Sequence, residues 1–125
     1  MRISTVLTAV AGVLALAGVS HAGQIASPAI YGSFAQAHAE CVVGNFSDNP
    51  VAVQVSILDE SGNPVPSSTS CNAPIEAHFI CQVTANIANG VAYACSVKSG
   101  SIAKVRAALT LSDSGFFPVK SAALR

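Results

Sequence analysis

The feature that most constrains this chain is a two-residue alternation of apolar side chains, repeated four times. Val51, Val53, Val55 and Ile57 alternate with Ala52, Gln54, Ser56 and Leu58. Phe79, Cys81, Val83 and Ala85 form a second such set, Val91, Tyr93, Cys95 and Val97 a third, and Val105, Ala107, Leu109 and Leu111 a fourth. Only an extended strand puts every second side chain on one face, so each run predicts a half-buried β-strand. Cys41 and Val43 predict a further strand near 39–46, and weaker ones are expected over Ala29–Phe34 and Phe116–Lys120. Helical periodicity is weak. The runs are separated by turn chemistry at Ser47-Asp48-Asn49-Pro50, Asp59 to Pro64, Asn89-Gly90, Ser99-Gly100-Ser101 and Asp113-Ser114-Gly115. Short strands at this spacing predict an all-β sandwich or barrel of about seven strands, with Val65–Pro74 as a loop.

Parity refines the connections, because residues facing each other across a hairpin share a face. A three-residue loop at Ser99-Gly100-Ser101 pairs Lys98 with Ile102, which sets Val97 opposite Ala103 and Cys95 opposite Val105. The inward sets agree, and a hairpin is expected there. Asn89-Gly90 is a strong two-residue hairpin signal, yet pairing Ala88 with Val91 would set inward Cys81 beside outward Lys98. That connection is therefore expected to cross between sheets, as in an immunoglobulin-like Greek key.

The first 22 residues read as a targeting segment. Arg2 precedes an apolar stretch from Val6 to Val19, and Ser20-His21-Ala22 supplies small residues at the −3 and −1 positions of a cleavage site before Gly23. The stretch is shorter than the roughly 17–25 apolar residues that span a bilayer, and Gly23 is not the cysteine of a lipoprotein. The expectation is a signal-peptide helix over 1–22, a single β-sandwich domain over 23–125, and a secreted or periplasmic product without a membrane anchor. Setting Arg2 aside leaves five Lys or Arg against six Asp or Glu, which is no electrostatic footprint for nucleic acid. All four cysteines, Cys41, Cys71, Cys81 and Cys95, follow the leader, and an even count in an exported chain predicts two disulfides. Three connectivities are possible. The expected one places Cys41–Cys95 between the sheets, as in immunoglobulin-type sandwiches, and Cys71–Cys81 across the loop.

Few side chains are candidates for chemistry. Ser101-Ile102-Ala103-Lys104 matches an S-x-x-K pattern, and Lys98-Ser99-Gly100 is close to its K-T-G companion. That mechanism needs Ser and Lys on one helical face, whereas residues three apart on a strand point to opposite sides. His38 with Glu40, and Glu76 with His78, could converge on a metal, although such pairs are ordinary on polar strand faces. The remaining carboxylates Asp48, Asp59, Glu60 and Asp113 fall in turns. Asn45-Phe46-Ser47 is an N-glycosylation sequon, which chance explains in a bacterial-type exported chain. Phe116 and Phe117 are expected to pack in the core or at an edge, with a partner-binding patch as the alternative. No catalytic residue, cofactor or metal is expected.

The run Cys41 to Asn63 (CVVGNFSDNPVAVQVSILDESGN), with Tyr93-Ala94-Cys95 and Val105 to Leu109, resembles small exported bacterial β-sandwich proteins. The resemblance implies a fold and a compartment, and it carries no catalytic residues across. The expected function is a non-enzymatic extracytoplasmic β-sandwich that acts as a binding or structural module toward a protein or surface partner. The alternatives are a fibre or surface-assembly subunit and a small hydrolase or metal-binding protein. The C-terminus Ala122-Ala123-Leu124-Arg125 lacks the penultimate aromatic of chaperone-assembled pilins.

Overall fold

The computed structural model describes residues 23–125, and every regular element among them is a β-strand. The signal-peptide helix expected over 1–22 lies outside the described residues. The strands are β1 (Gly23–Ala26), β2 (Gln36–Asn45), β3 (Val53–Leu58), β4 (Ser68–Thr69), β5 (Ile80–Asn86), β6 (Ala94–Ser99), β7 (Val105–Asp113) and β8 (Pro118–Ala123). They form two antiparallel sheets, ordered β1-β6-β3 and β4-β5-β2-β7-β8. Eight strands thus stand where about seven were expected, and one of them, β4, is only two residues long.

The alternation read from the sequence sets the core. Ala39, Cys41 and Val43 of β2 are buried together with Cys81, Val83 and Ala85 of β5, and with Val105, Leu109 and Leu111 of β7. From the smaller sheet, Ile57 of β3 and Cys95 and Val97 of β6 are buried with them. Cys41 is bonded to Cys95, linking the central strand of one sheet to the central strand of the other. Cys71 is bonded to Cys81, tying the segment just after β4 to the start of β5. Disulfides persist in oxidising compartments, so the two bonds point to an extracytoplasmic setting.

The expected hairpin at Ser99-Gly100-Ser101 does not form. β6 already has a neighbour on each edge, β1 and β3, and offers no third. The chain instead crosses over, and β7 pairs with the open side of β2 from Gln36↔Asp113 to Asn45↔Val105. Parity could not separate these cases, because two inward faces agree equally well across a core and along a hairpin. The Asn89-Gly90 connection does cross, from β5 to β6, with Gly90 at φ +74°. Two side chains hold it. The Tyr93 hydroxyl accepts the Ala88 N–H at 2.9 Å, and buried Gln36 donates through Nε2 to the Ala88 and Val91 carbonyls.

Smaller departures follow from strand ends. Ala29–Phe34 holds only one bridge, Ile30↔Tyr93, while Gly23–Ala26, which has little alternation, forms β1. The last strand runs Pro118–Ala123 rather than Phe116–Lys120, because Phe116 sits in the turn at φ +62°. Phe79 shares parity with Cys81 but lies ahead of β5 and is exposed.

Candidate functional site

The outer face of the five-stranded sheet carries the groups of interest. There β2 presents His38, Glu40, Val42 and Gly44. In register beside them lie Asn86, Thr84, Gln82 and Ile80 of β5, and Ser112, Thr110, Ala108 and Arg106 of β7. Two aromatic clusters stand at opposite ends of this face.

At the β7–β8 turn, Asp113 organises the chain. Its Oδ1 accepts the N–H groups of Gly115 (2.9 Å) and Phe117 (3.0 Å), while its carbonyl accepts the Phe116 N–H at 3.0 Å. The turn holds Phe116 in the left-handed region, which costs a residue other than glycine about 1–3 kcal/mol. This conformation lays the Phe116 ring on the His38 imidazole, with centroids 4.2 Å apart and planes 6° from parallel. His38 Nδ1 is 3.1 Å from Asn86 Oδ1 on the neighbouring strand, which fixes the imidazole plane beneath the phenyl ring. Phe116 is nonetheless 71% exposed, and Phe117 70%. Of the core or edge packing expected for this pair, packing in the core is therefore ruled out.

Between this stack and the segment Pro66–Ser68 runs an open groove of about 460 Å³. Glu40 and Thr84 line it between His38, Asn86, Ser112 and Phe116 on one side and Pro66, Ser67 and Ser68 on the other. The hydroxyls of Ser67, Ser68, Thr84 and Ser112 and the Glu40 carboxylate have no hydrogen-bond partner among the described residues. Ser112 is only 9% exposed, yet among the described residues no buried side-chain oxygen lacks a partner, so its free hydroxyl must open to the solvent of the groove.

The second cluster is built on Asn45, which is 1% exposed. Its Nδ2 donates to the carbonyls of Asn49 (2.7 Å), Ile75 (2.9 Å) and Glu76 (3.3 Å), and its Oδ1 accepts from the Ser47 N–H and hydroxyl. Its backbone accepts from the His78 N–H and donates to the Phe79 carbonyl. The two loops pinned this way hold Phe46, Phe79 and Ile80 in solvent, with Phe46 and Ile80 flanking Gly44. An amide engaged in this many internal bonds has no room for a glycan, so glycosylation at the sequon and this fold exclude one another.

The remaining sequence candidates stay apart. His38 and Glu40 lie near one end of β2, whereas Glu76 and His78 lie beside Asn45 at the other, where His78 Nε2 is 3.0 Å from Asp48 Oδ1. Seven residues of strand separate His38 from Asn45, about 23 Å, so the two His/Glu pairs do not converge on one ion. Ser101 sits exposed in the β6–β7 crossover, its N–H donating to Ser99 Oγ, with Lys104 in the following turn. The sequence reading missed the Pro66–Ser68 wall and the outward turn of Phe34, Phe46 and Phe79. For Phe46 strand parity was a usable signal, since an even-numbered residue falls on the outer face with Val42 and Gly44, opposite inward Cys41 and Val43.

Compared with family models, curated proteins and solved structures, the chain matches none.

Proposed function

We propose that this chain is a non-enzymatic binding module acting in the periplasm or outside the cell, on a protein or surface partner. The observation that carries the reading is the placement of its aromatics. Of five Phe and two Tyr, only Tyr93 is buried, while Tyr31, Phe34, Phe46, Phe79, Phe116 and Phe117 are exposed. Single exposed apolar residues are ordinary, but six of seven aromatics outside a fold with a complete core is the composition of a contact surface. The groove beside Phe116 adds unpaired polar groups, the second component of a recognition site.

The scaffold is read as immunoglobulin-like. β2 pairs with β5 and β3 with β6, a disulfide joins the two central strands, and Tyr93 stands two residues before the second cysteine with its hydroxyl bonded five residues upstream. The departure is β7, which lies beside β2 instead of β6. Export of this module through the N-terminal leader accords with its paired cysteines.

The test immobilises residues 23–125 and exposes them to envelope and culture-fluid fractions. A variant with Phe34, Phe46, Phe79, Phe116 and Phe117 replaced by Ser serves as the comparison, its fold verified by circular dichroism. A component retained by the wild-type domain and lost by the variant supports the reading. Equal retention by both overturns it.

A further inference from the structure

We infer that the groove between Phe116 and Pro66–Ser68 binds one ring of an uncharged saccharide. The inference rests on the binding-module reading and assigns its ligand class.

Three observations point to this ligand. The first is a preset apolar platform. Phe116 is fixed by the Asp113 turn on one side and by the His38–Asn86 pair beneath it. Its ring therefore needs no reorganisation to receive the C–H face of a sugar. The second is the polar complement. Ser67, Ser68, Thr84 and Ser112 offer hydroxyls that both donate and accept, and Glu40 offers an acceptor. A ligand that presents hydroxyl groups around an apolar ring satisfies both kinds, whereas an apolar ligand would strand them. Ser112 is the most telling of these, since a serine this enclosed, with its oxygen left unpaired, is poised for an incoming donor or acceptor. The third is charge. No Lys or Arg lines the groove, which disfavours phosphorylated, sulfated or carboxylated ligands. A single carboxylate and a single ring with one face already covered make a poor cage for a cation, which is held best between several aromatic faces. The volume, about 460 Å³, falls within the roughly 300–1,000 Å³ of small-ligand sites and suits one sugar ring of a longer chain lying in an open groove.

The test titrates ¹⁵N-labelled domain 23–125 with neutral tetrasaccharides of glucose, mannose, xylose and N-acetylglucosamine, and separately with a tetralysine peptide. At least one saccharide is expected to bind, with amide shifts confined to residues of the groove such as His38, Glu40, Thr84, Asn86, Ser112 and Phe116. F116A should weaken binding at least tenfold, and F116Y should restore it to within about threefold. S112A should weaken it several-fold, while F79A at the opposite end should leave it unchanged. The wild-type shift map stands even if a variant folds poorly. No saccharide shift at the groove, equal binding by F116A, or groove shifts with tetralysine alone would each overturn the inference. Retention of a partner in the capture experiment without saccharide binding would remove this ligand class and leave the module reading in place.

Discussion

The two disulfides should differ in worth, and the difference can be worked from their positions. Cys41–Cys95 closes a separation of 54 residues and Cys71–Cys81 one of 10. The chain-entropy relation gives about 4 kcal/mol for the long loop and about 3 kcal/mol for the short one. Packing widens the gap. Cys41 and Cys95 are both fully buried in the middle of the core, so replacing them with Ala leaves a void between the sheets, costing about 1–2 kcal/mol more. Cys71 and Cys81 lie nearer the surface at 7% and 6% exposure. C41A/C95A should therefore lose about 5–6 kcal/mol, against about 5–15 kcal/mol for a whole domain, and C71A/C81A about 3 kcal/mol. The chain has no Trp, so urea unfolding is followed by far-ultraviolet circular dichroism and by the fluorescence of buried Tyr93. With a slope of about 1–3 kcal/mol per molar urea, C71A/C81A should lower the midpoint by about 1–3 M and remain folded in water. C41A/C95A should lower it by about 2–6 M. If C71A/C81A proves the more damaging variant, or if the C41A/C95A midpoint stays put, the inter-sheet bridge is not the main covalent support of this fold.

Three further outcomes are expected. N45A should destabilise the domain by about 2–3 kcal/mol in urea unfolding, since it strands enclosed carbonyls in two loops at once; a loss under 0.5 kcal/mol on this ~1 kcal/mol-per-bond scale would refute the hub role of Asn45. Y93F should cost about 1–2 kcal/mol and speed hydrogen exchange of the Ala88 amide, whose acceptor it removes; unchanged exchange would show that this bond does not hold the crossing. G62A should cost about 1 kcal/mol, because Gly62 sits at φ +81° although a Cβ would meet nothing within 4 Å. G100A, equally uncrowded and without a positive φ, should be neutral or slightly stabilising, and equal losses at both sites would undo this backbone argument.

Period-two patterning made the β2, β3, β5, β6 and β7 cores legible, since burial of every second residue is all that a two-layer sandwich demands of its strands. What it left open was which strand lies beside which. Cys95 opposite Val105 satisfies parity whether the two residues neighbour each other in a sheet or face each other across the core, so the β6–β7 crossover was invisible to it. The short β1 was missed because Gly23–Ala26 is mostly exposed and carries no alternation to read. At the candidate site, His38, Glu40 and Phe116 could each be singled out by residue type, but not brought together. Their juxtaposition depends on β7 pairing with β2, on the β8 turn folding back over His38, and on a left-handed Phe that no local preference favours. The Pro66–Ser68 wall comes from a segment with no periodic signal at all.

The inter-sheet bridge also bears on why the aromatics stand outside. Stacked sheets ordinarily lie about 10 Å apart, but the Cα atoms of Cys41 and Cys95 are 6.2 Å apart. The core around this bridge is aliphatic: Leu109 and Ile57 stand in register beside Cys41 and Cys95, with Val43, Val83, Val97 and the smaller Ala39 and Ala85 filling in around them. A core already filled by Val, Ile and Leu explains the absence of Phe inside. It does not explain its presence outside, where polar residues would hydrate better at every one of these positions. Phe116 makes the point most sharply. At φ +62° an Asn or Gly would relieve backbone strain, and Asp113 would cap the turn equally well for either. Within the fold its one aromatic contact is the stack on His38, so the ring face left open to water is the face that the proposed ligand would cover.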